Sequence, residues 1–305
     1  MSKITSLRIG TRDSELAVWQ ATQVAEGLQA RGYRTELVHV KTEGDIDLET
    51  PLSELGGKGV FTKALDVALI NGEIDLAVHS HKDLPTVNPL PLEVAAVLER
   101  GDPRDSLVAP GGTDFLEGDA PAVVATGSNR RRAQWLNRYP HHQMADLRGN
   151  VNTRLEKIER HGWKGAIFAA AGLQRIGLEG RIASYLDWMV PAPAQAAMAV
   201  MVREDDDEVR QAVAVLDHKE TALCTRLERE FLREMEAGCS APVGAHARLE
   251  EGMVHFKAVA LTLDGTTRYD IEKELSPDRT GGEGAAAARE LLDRGADRIM
   301  DSLKS

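Results

Sequence analysis

Arginine is the residue type whose placement first suggests chemistry. Arg130, Arg131 and Arg132 follow Thr126-Gly127-Ser128-Asn129, directly after the apolar run 121–125. A strand running into a helix there sets guanidinium groups beside the backbone N–H groups of a helix N-terminus, a natural seat for a carboxylate or phosphate. Arg148 and Arg154 flank Gly149-Asn150-Val151-Asn152-Thr153, and Arg12 follows the first apolar run. Guanidinium is the preferred group for forked recognition of carboxylates. A surface ion pair explains any single one of these arginines equally well. Several of them at loop and strand ends point to a polyanionic small molecule.

A carboxylate and a thiol are the other candidates. Asp83 lies in the stretch VHSHKDLP, residues 78–85, after an apolar segment and beside Lys82. Held there, it can steady a developing cation or accept N–H bonds. Capping the turn before Pro85 is the plainer reading of the same residue. Cys239 sits in AGCSAPVGA, a turn of small residues after a long helical pattern, whereas Cys224 falls inside that pattern, where packing accounts for it. Three glycines surround Lys58 in GGKGVFT, residues 56–62. Their spacing is not that of a phosphate loop and suggests a flap carrying Lys58 and Phe61. The histidines are scattered, and no spacing supports a metal site.

These groups need elements to hold them, and the chain alternates strand and helix character. SLRIGTR reads as a strand, and Ser14 or Asp13 can cap a helix in which Ala17, Ala21, Val24 and Leu28 recur at helical spacing. Gly32 ends that helix, a strand follows over 35–42, a second helix over 61–71, and an apolar strand over 74–80. This rhythm predicts an α/β domain with a largely parallel sheet, whose ligands gather at the carboxyl ends of the strands. A second α/β stretch follows residues 101–106, with a strand before Thr126, a helix after Ser128, and the apolar segment GAIFAAAGL. The acidic run 204–208 reads as a solvated turn. Past residue 218 the pattern changes to a helix over 220–237, the turn at Cys239, an alternating hairpin closed by Asp264-Gly265, and a final helix over 285–303. No repeat of fixed period is present.

Composition narrows the function classes. The 305 residues suffice for two or three domains, and 42% hydrophobic with 28% charged residues is ordinary for a globular chain. Nothing approaches an apolar run of about 18 residues, so no membrane partner is expected. The N-terminal residues show neither an apolar signal core nor a transit-type stretch, which predicts a cytoplasmic protein. Two cysteines cannot make a disulfide framework. The 48 acidic against 37 basic residues give a net charge of -11, which disfavours nucleic acid as a partner. An acidic ligand must therefore be met by arginines concentrated locally.

Eight segments in order, TRDSELAVWQA, GGKGVFTKALDVAL, DLAVHSHKDLP, GDPRDS, LRGNVNTRL, AAGLQRIGL, VPAPAQAA and AGCSAPVGA, resemble the ordered motifs of the hydroxymethylbilane synthase (porphobilinogen deaminase) family. The resemblance covers nearly the whole chain. It implies two α/β domains like those of type II periplasmic binding proteins around a cleft, plus a smaller C-terminal α+β domain. The expected boundaries are 1–99 with 200–217 for the first domain, 100–199 for the second and 218–305 for the third.

The resemblance further implies a monomeric, cytoplasmic transferase that joins four porphobilinogen molecules head to tail with loss of ammonia. Hydrolysis then releases linear hydroxymethylbilane for tetrapyrrole and heme biosynthesis. Cys239 matches the cysteine that carries a dipyrromethane cofactor through a thioether, and Asp83 matches the catalytic aspartate. Lys82, Asp83, Thr126, Ser128, Arg130, Arg131 and Arg148 match cofactor-binding positions. Arg12, Ser14, Arg148, Arg154 and Arg175 match substrate-binding positions, and Lys58 and Phe61 fall on the flap. No metal is implied. His81, Asn129, Ala196 and Ala237 depart from the family's usual residues without removing a proposed catalytic group. A solute-binding protein, a cysteine hydrolase using Cys239 and a nucleic-acid binder using Arg130 to Arg132 are the rival readings.

Overall fold

The structure is a computed structural model that describes residues 6–41, 62–236 and 241–303. Its described residues gather into two compact units, one of residues 6–41, 62–101 and 196–222, the other of residues 102–195, 223–236 and 241–303.

In the first unit, β1 (Ser6–Thr11) sends Leu7 and Ile9 into the core, and α1 (Glu15–Gln29) lays Ala21, Val24 and Leu28 over them. Ser14 starts that helix, its Oγ accepting the Ala17 N–H at 3.4 Å. The chain returns as β2 (Arg34–His39), parallel to β1. After α2 (Lys63–Ile70), β3 (Leu76–Ser80) pairs parallel with β1 on its other side. Leu76 and Val78 face α1, while Ala77 packs with Leu65 and Leu69 of α2, the period-two alternation of a strand covered on both faces. Each fully buried Leu or Ile here contributes roughly 1.5–3 kcal/mol of transfer free energy. β4 (Leu92–Val97) ends this stretch.

The second unit repeats the plan. β5 (Asp105–Val108), β6 (Val123–Ala125), α3 (Asn129–Arg138), β7 (Gln143–Ala145), α4 (Val151–His161), β8 (Gly165–Ala169), α5 (Ala170–Gln174) and β9 (Ser184–Tyr185) form a sheet of order β7-β6-β8-β5-β9. β6 runs parallel to β7 and β8, and β5 antiparallel to β8 and β9. The chain then returns to the first sheet as β10 (Met198–Arg203), which inserts antiparallel between β3 and β4 to give the order β2-β1-β3-β10-β4.

Both sheets are therefore mixed, where the strand–helix rhythm predicts a largely parallel one for the first. The difference lies in the strands that come from outside the local βαβ run: β10 and β5 pair without a crossover helix before them. α6 (Asp207–Val213) follows β10, with Asp206 capping the Val209 N–H at 3.2 Å. The acidic run 204–208 is thus half turn and half helix start, because carboxylates favour the positive end of a helix as much as they favour solvent.

α7 (Lys219–Glu234) buries Cys224, Leu227 and Phe231 against an antiparallel sheet of β11 (Val243–Glu250), β12 (Met253–Leu261) and β13 (Arg268–Leu275). The expected hairpin is β12–β13, and β11 adds a third strand through a tight turn at Glu251 and Gly252, both at positive φ. The predicted final helix is broken: α8 (Glu283–Leu291) and α9 (Asp297–Ser302) meet at Gly295, whose φ of 113° no ordinary residue adopts readily. Tyr269 Oη lies 2.7 Å from where a Cβ on Gly295 would stand.

Candidate active site

Each unit collects its candidate residues at the carboxyl ends of its parallel strands. In the first unit Arg12 directly follows β1, and Ser14 caps α1. Lys82 and Asp83 lie in the single turn His81–Asp83 that follows β3, with Asp83 exposed and His81 buried. The register pairs Gly10 with Ala77, so Arg12 and His79, each two residues on, share the face that α2 covers. His79 is 5% exposed; burial, and then the Arg12 charge, press its pKa down to about 4. At the first turn of α2, Thr62 and Asp66 are both buried, and burial, only partly offset by the Thr62 side chain, pushes the Asp66 carboxyl up to about 6.

In the second unit β6 ends at Ala125 and the chain turns through Thr126, Gly127 and Ser128 into α3. Thr126 is buried; its N–H donates to Ala145 O at 2.9 Å and its Oγ1 accepts the Ser128 N–H at 3.2 Å. Ser128 Oγ in turn accepts the Arg131 N–H at 3.4 Å. Leu147 O lies 2.5 Å from the site of any Cβ on Gly127, so backbone packing selects glycine there. This turn aims Arg130 and Arg131 inward: they are 4% and 6% exposed. Arg132 instead makes an outer ion pair with Asp146 at 2.6 Å.

The buried pair shares one carboxylate. Arg130 Nη1 donates to Asp105 Oδ2 at 2.6 Å, and Arg131 Nε and Nη2 reach Asp105 Oδ1, each at 2.9 Å. Gln195 Nε2 donates to the same Oδ1 at 3.0 Å. Burial works against the Asp105 charge, but the two guanidinium groups and these hydrogen bonds outweigh it and hold the carboxyl far below the usual range. Carbonyls take further donors, Val190 O from Arg130 at 2.7 Å and Ile167 O from Arg131 at 3.1 Å. Arg130 Nε, however, is buried with no partner.

Arg148 and Arg154 bracket the loop into α4. Asn150 Oδ1 accepts the Thr153 N–H at 2.9 Å as the cap, and Arg154 Nε donates to Gly149 O at 2.7 Å. Arg175 ends α5, and burial draws its pKa down to about 10, so its charge is held at a desolvation cost. Cys239, Lys58 and Phe61 lie outside the described residues. Within each unit the structure gathers the named residues at one end of a sheet. Reading the sequence missed Asp105, Gln195, Asp66 and His79. Asp105 had a signal, since it stands in the GDPRDS motif; Gln195 had only its place in VPAPAQAA.

A dipyrromethane with its carboxylates fits these residues. The buried, unpartnered Arg130 Nε is a donor that such a carboxylate could accept from. Among the described residues no group of three His, Cys, Asp or Glu side chains is placed to hold a metal, and no helix is long and apolar enough to cross a membrane.

Comparison with known proteins accords with this chemistry. Residues 7–211 match the family model described as porphobilinogen deaminase, dipyromethane cofactor binding domain, and residues 222–293 match that of the porphobilinogen deaminase C-terminal domain. The chain is 42% identical over 303 residues to the porphobilinogen deaminase of Syntrophotalea carbinolica, covering 98% of this chain and 96% of that one. It is 40% identical to that of Chlorobium phaeobacteroides, covering 98% of each. Among solved structures it is similar to the lipoprotein Tp32 of Treponema pallidum, with a TM-score of 0.44 and 14% identity over 72% of this chain and 95% of that one. Matched along nearly its whole length, the chain belongs to the porphobilinogen deaminase family, the hydroxymethylbilane synthases of tetrapyrrole biosynthesis.

Proposed function

We propose that this transferase divides its chemistry between an aspartate on the first unit and carboxylate-receiving arginines on both. Porphobilinogen brings two carboxylates and an aminomethyl group. When ammonia departs, positive charge develops on the methylene and spreads into the pyrrole. Asp83, exposed at the end of β3, faces that charge with a carboxylate and accepts pyrrole N–H bonds, the electrostatic stabilisation that lowers such barriers. Arg12, Arg148, Arg154 and Arg175 receive the acetate and propionate groups of substrate, with Ser14 fixing the approach to α1.

Arg130 and Arg131, with Lys82, Arg148 and the Thr126–Ser128 turn, hold the dipyrromethane, and Cys239 anchors it through a thioether. That group, when bound, would supply the free pyrrole α-carbon that takes the first unit; each later unit would add at the free α-carbon of the ring before it, and water would then release the four-ring product. Lys58 and Phe61 shield the site. The three-domain division at residues 99/100, 199/200 and 217/218 belongs to the same proposal, as does action by a cytoplasmic monomer with no nucleic-acid or membrane partner. The net charge of -11 supports the exclusion of nucleic acid.

One observation carries the assignment: a buried arginine pair shares a single carboxylate and keeps one unpartnered donor. The direct test of the catalytic role is Asp83→Asn. Because Asp83 is exposed, the variant should fold and keep its covalent adduct, while kcat falls by about 100-fold or more. A kcat within about twofold of the parent would remove Asp83 from the reaction.

A further inference from the structure

The arginine pair is held from behind by a residue of the C-terminal part of the chain. Glu228 of α7 is fully buried. Its Oε2 accepts the Ala194 N–H at 2.6 Å and its Oε1 the Ala247 N–H of β11 at 2.7 Å, with His246 Nδ1 at 3.4 Å. Short bonds from backbone amides to a carboxylate are of the strong, charge-assisted kind. What Glu228 grips is an unusual turn. Ala194 and Ala196 both sit at positive φ, 60° and 67°, a conformation that residues with a Cβ keep only where their surroundings enforce it.

Between them stands Gln195, fully buried, whose Nε2 donates to Pro103 O at 2.8 Å and to Asp105 Oδ1 at 3.0 Å. The preceding residues are held from two sides. Gln134 brackets Val190 with bonds of 2.9 and 2.8 Å, Arg130 donates to Val190 O at 2.7 Å, and the Ala245 N–H of β11 donates to Pro191 O at 3.0 Å. A continuous path of bonds thus runs from Glu228 through Ala194 and Gln195 to Asp105 and the two arginines.

We propose that Glu228 is a positioning residue for the Arg130–Arg131 pair, acting by locking Ala194 in its left-handed conformation so that Gln195 orients the Asp105 carboxylate. It touches neither substrate nor cofactor. The inference rests on the reading that the pair receives the cofactor's carboxylates. It ties the helix that leads towards Cys239 to the arginines that would meet the group Cys239 carries.

The test uses full-length Glu228→Gln, whose amide can accept from only one of the two N–H groups. Hydrogen exchange and intact mass are measured beside the parent and beside Glu228→Gln/Ala194→Gly, since glycine holds positive φ without a clamp. Glu228→Gln should raise exchange at Ala194 and Gln195 by about tenfold or more and lower the adduct-bearing fraction to less than half of the parent's. Ala194→Gly in that background should restore most of the adduct.

A Glu228→Gln protein that exchanges and loads like the parent overturns the proposal, and so does a loss that Ala194→Gly leaves unrepaired. Should Glu228→Gln not fold, Gln195→Leu carries the test. It should lower the adduct-bearing fraction while Ala194 keeps its protection, and full loading would contradict the relay. A parent protein without any adduct would count against the cofactor reading itself, while the exchange result would still judge the clamp.

Discussion

Asp66 and His79 are buried titratable groups on one face of the first sheet, and they respond to pH in opposite directions. His79, with its pKa pressed down to about 4, favours the neutral ring. Its contribution to stability is complete above its ordinary value of 6.5 and is lost as pH falls towards 4. Asp66, pushed up to about 6, favours the protonated acid. The fold therefore carries the cost of ionising Asp66 at neutral pH, and that cost fades as pH falls from 6 towards its ordinary 3.8. Asp66→Asn should accordingly be more stable than the parent at about pH 7.5 by on the order of 2 kcal/mol, with the gap narrowing towards pH 4. Denaturant titrations at the two pH values measure it, and a gap of equal size at both would show that burial of the carboxylate is not its cause.

At the scale of elements, the connection between β5 and α3 rests on Asp105. Asp105→Asn keeps the shape but removes the charge that two buried guanidinium groups share. Unbalancing a buried pair costs about 3–5 kcal/mol, so the unfolding free energy should fall by that order. A loss below about 1 kcal/mol would mean that the arginines find another counter-charge.

The sequence displayed one half of this contact plainly and hid the other. Arg130 and Arg131 stand out as a run at a helix start, whereas Asp105 lies on another strand, and nothing local links it to them. The βαβ rhythm, the cap at Ser14, the helix start after Ser128 and the β12–β13 hairpin were all legible because each is set by neighbours in sequence. The antiparallel entry of β10 and the break at Gly295 were not, because each depends on a partner far along the chain: Ser80 opposite Met198, Tyr269 beside Gly295. For the same reason Asp83, Lys82 and Arg12 were legible as strand-end residues, but the buried His79 between them was not.

At the scale of the whole molecule, the proposed function asks a chain of net charge -11 to receive an acidic substrate with arginines that follow strands of two mixed sheets, and to carry its cofactor on Cys239. General electrostatics would repel porphobilinogen, so local guanidinium groups must overcome it, and each added unit brings two more carboxylates for them to hold. This account stands or falls on the covalent cofactor at Cys239. The most direct measurement is the intact mass of the freshly purified protein beside Cys239→Ser, both before and after incubation with porphobilinogen. The account predicts an excess mass of one dipyrromethane on the parent and none on the variant. An unmodified parent after incubation, or an adduct that persists in Cys239→Ser, would contradict it.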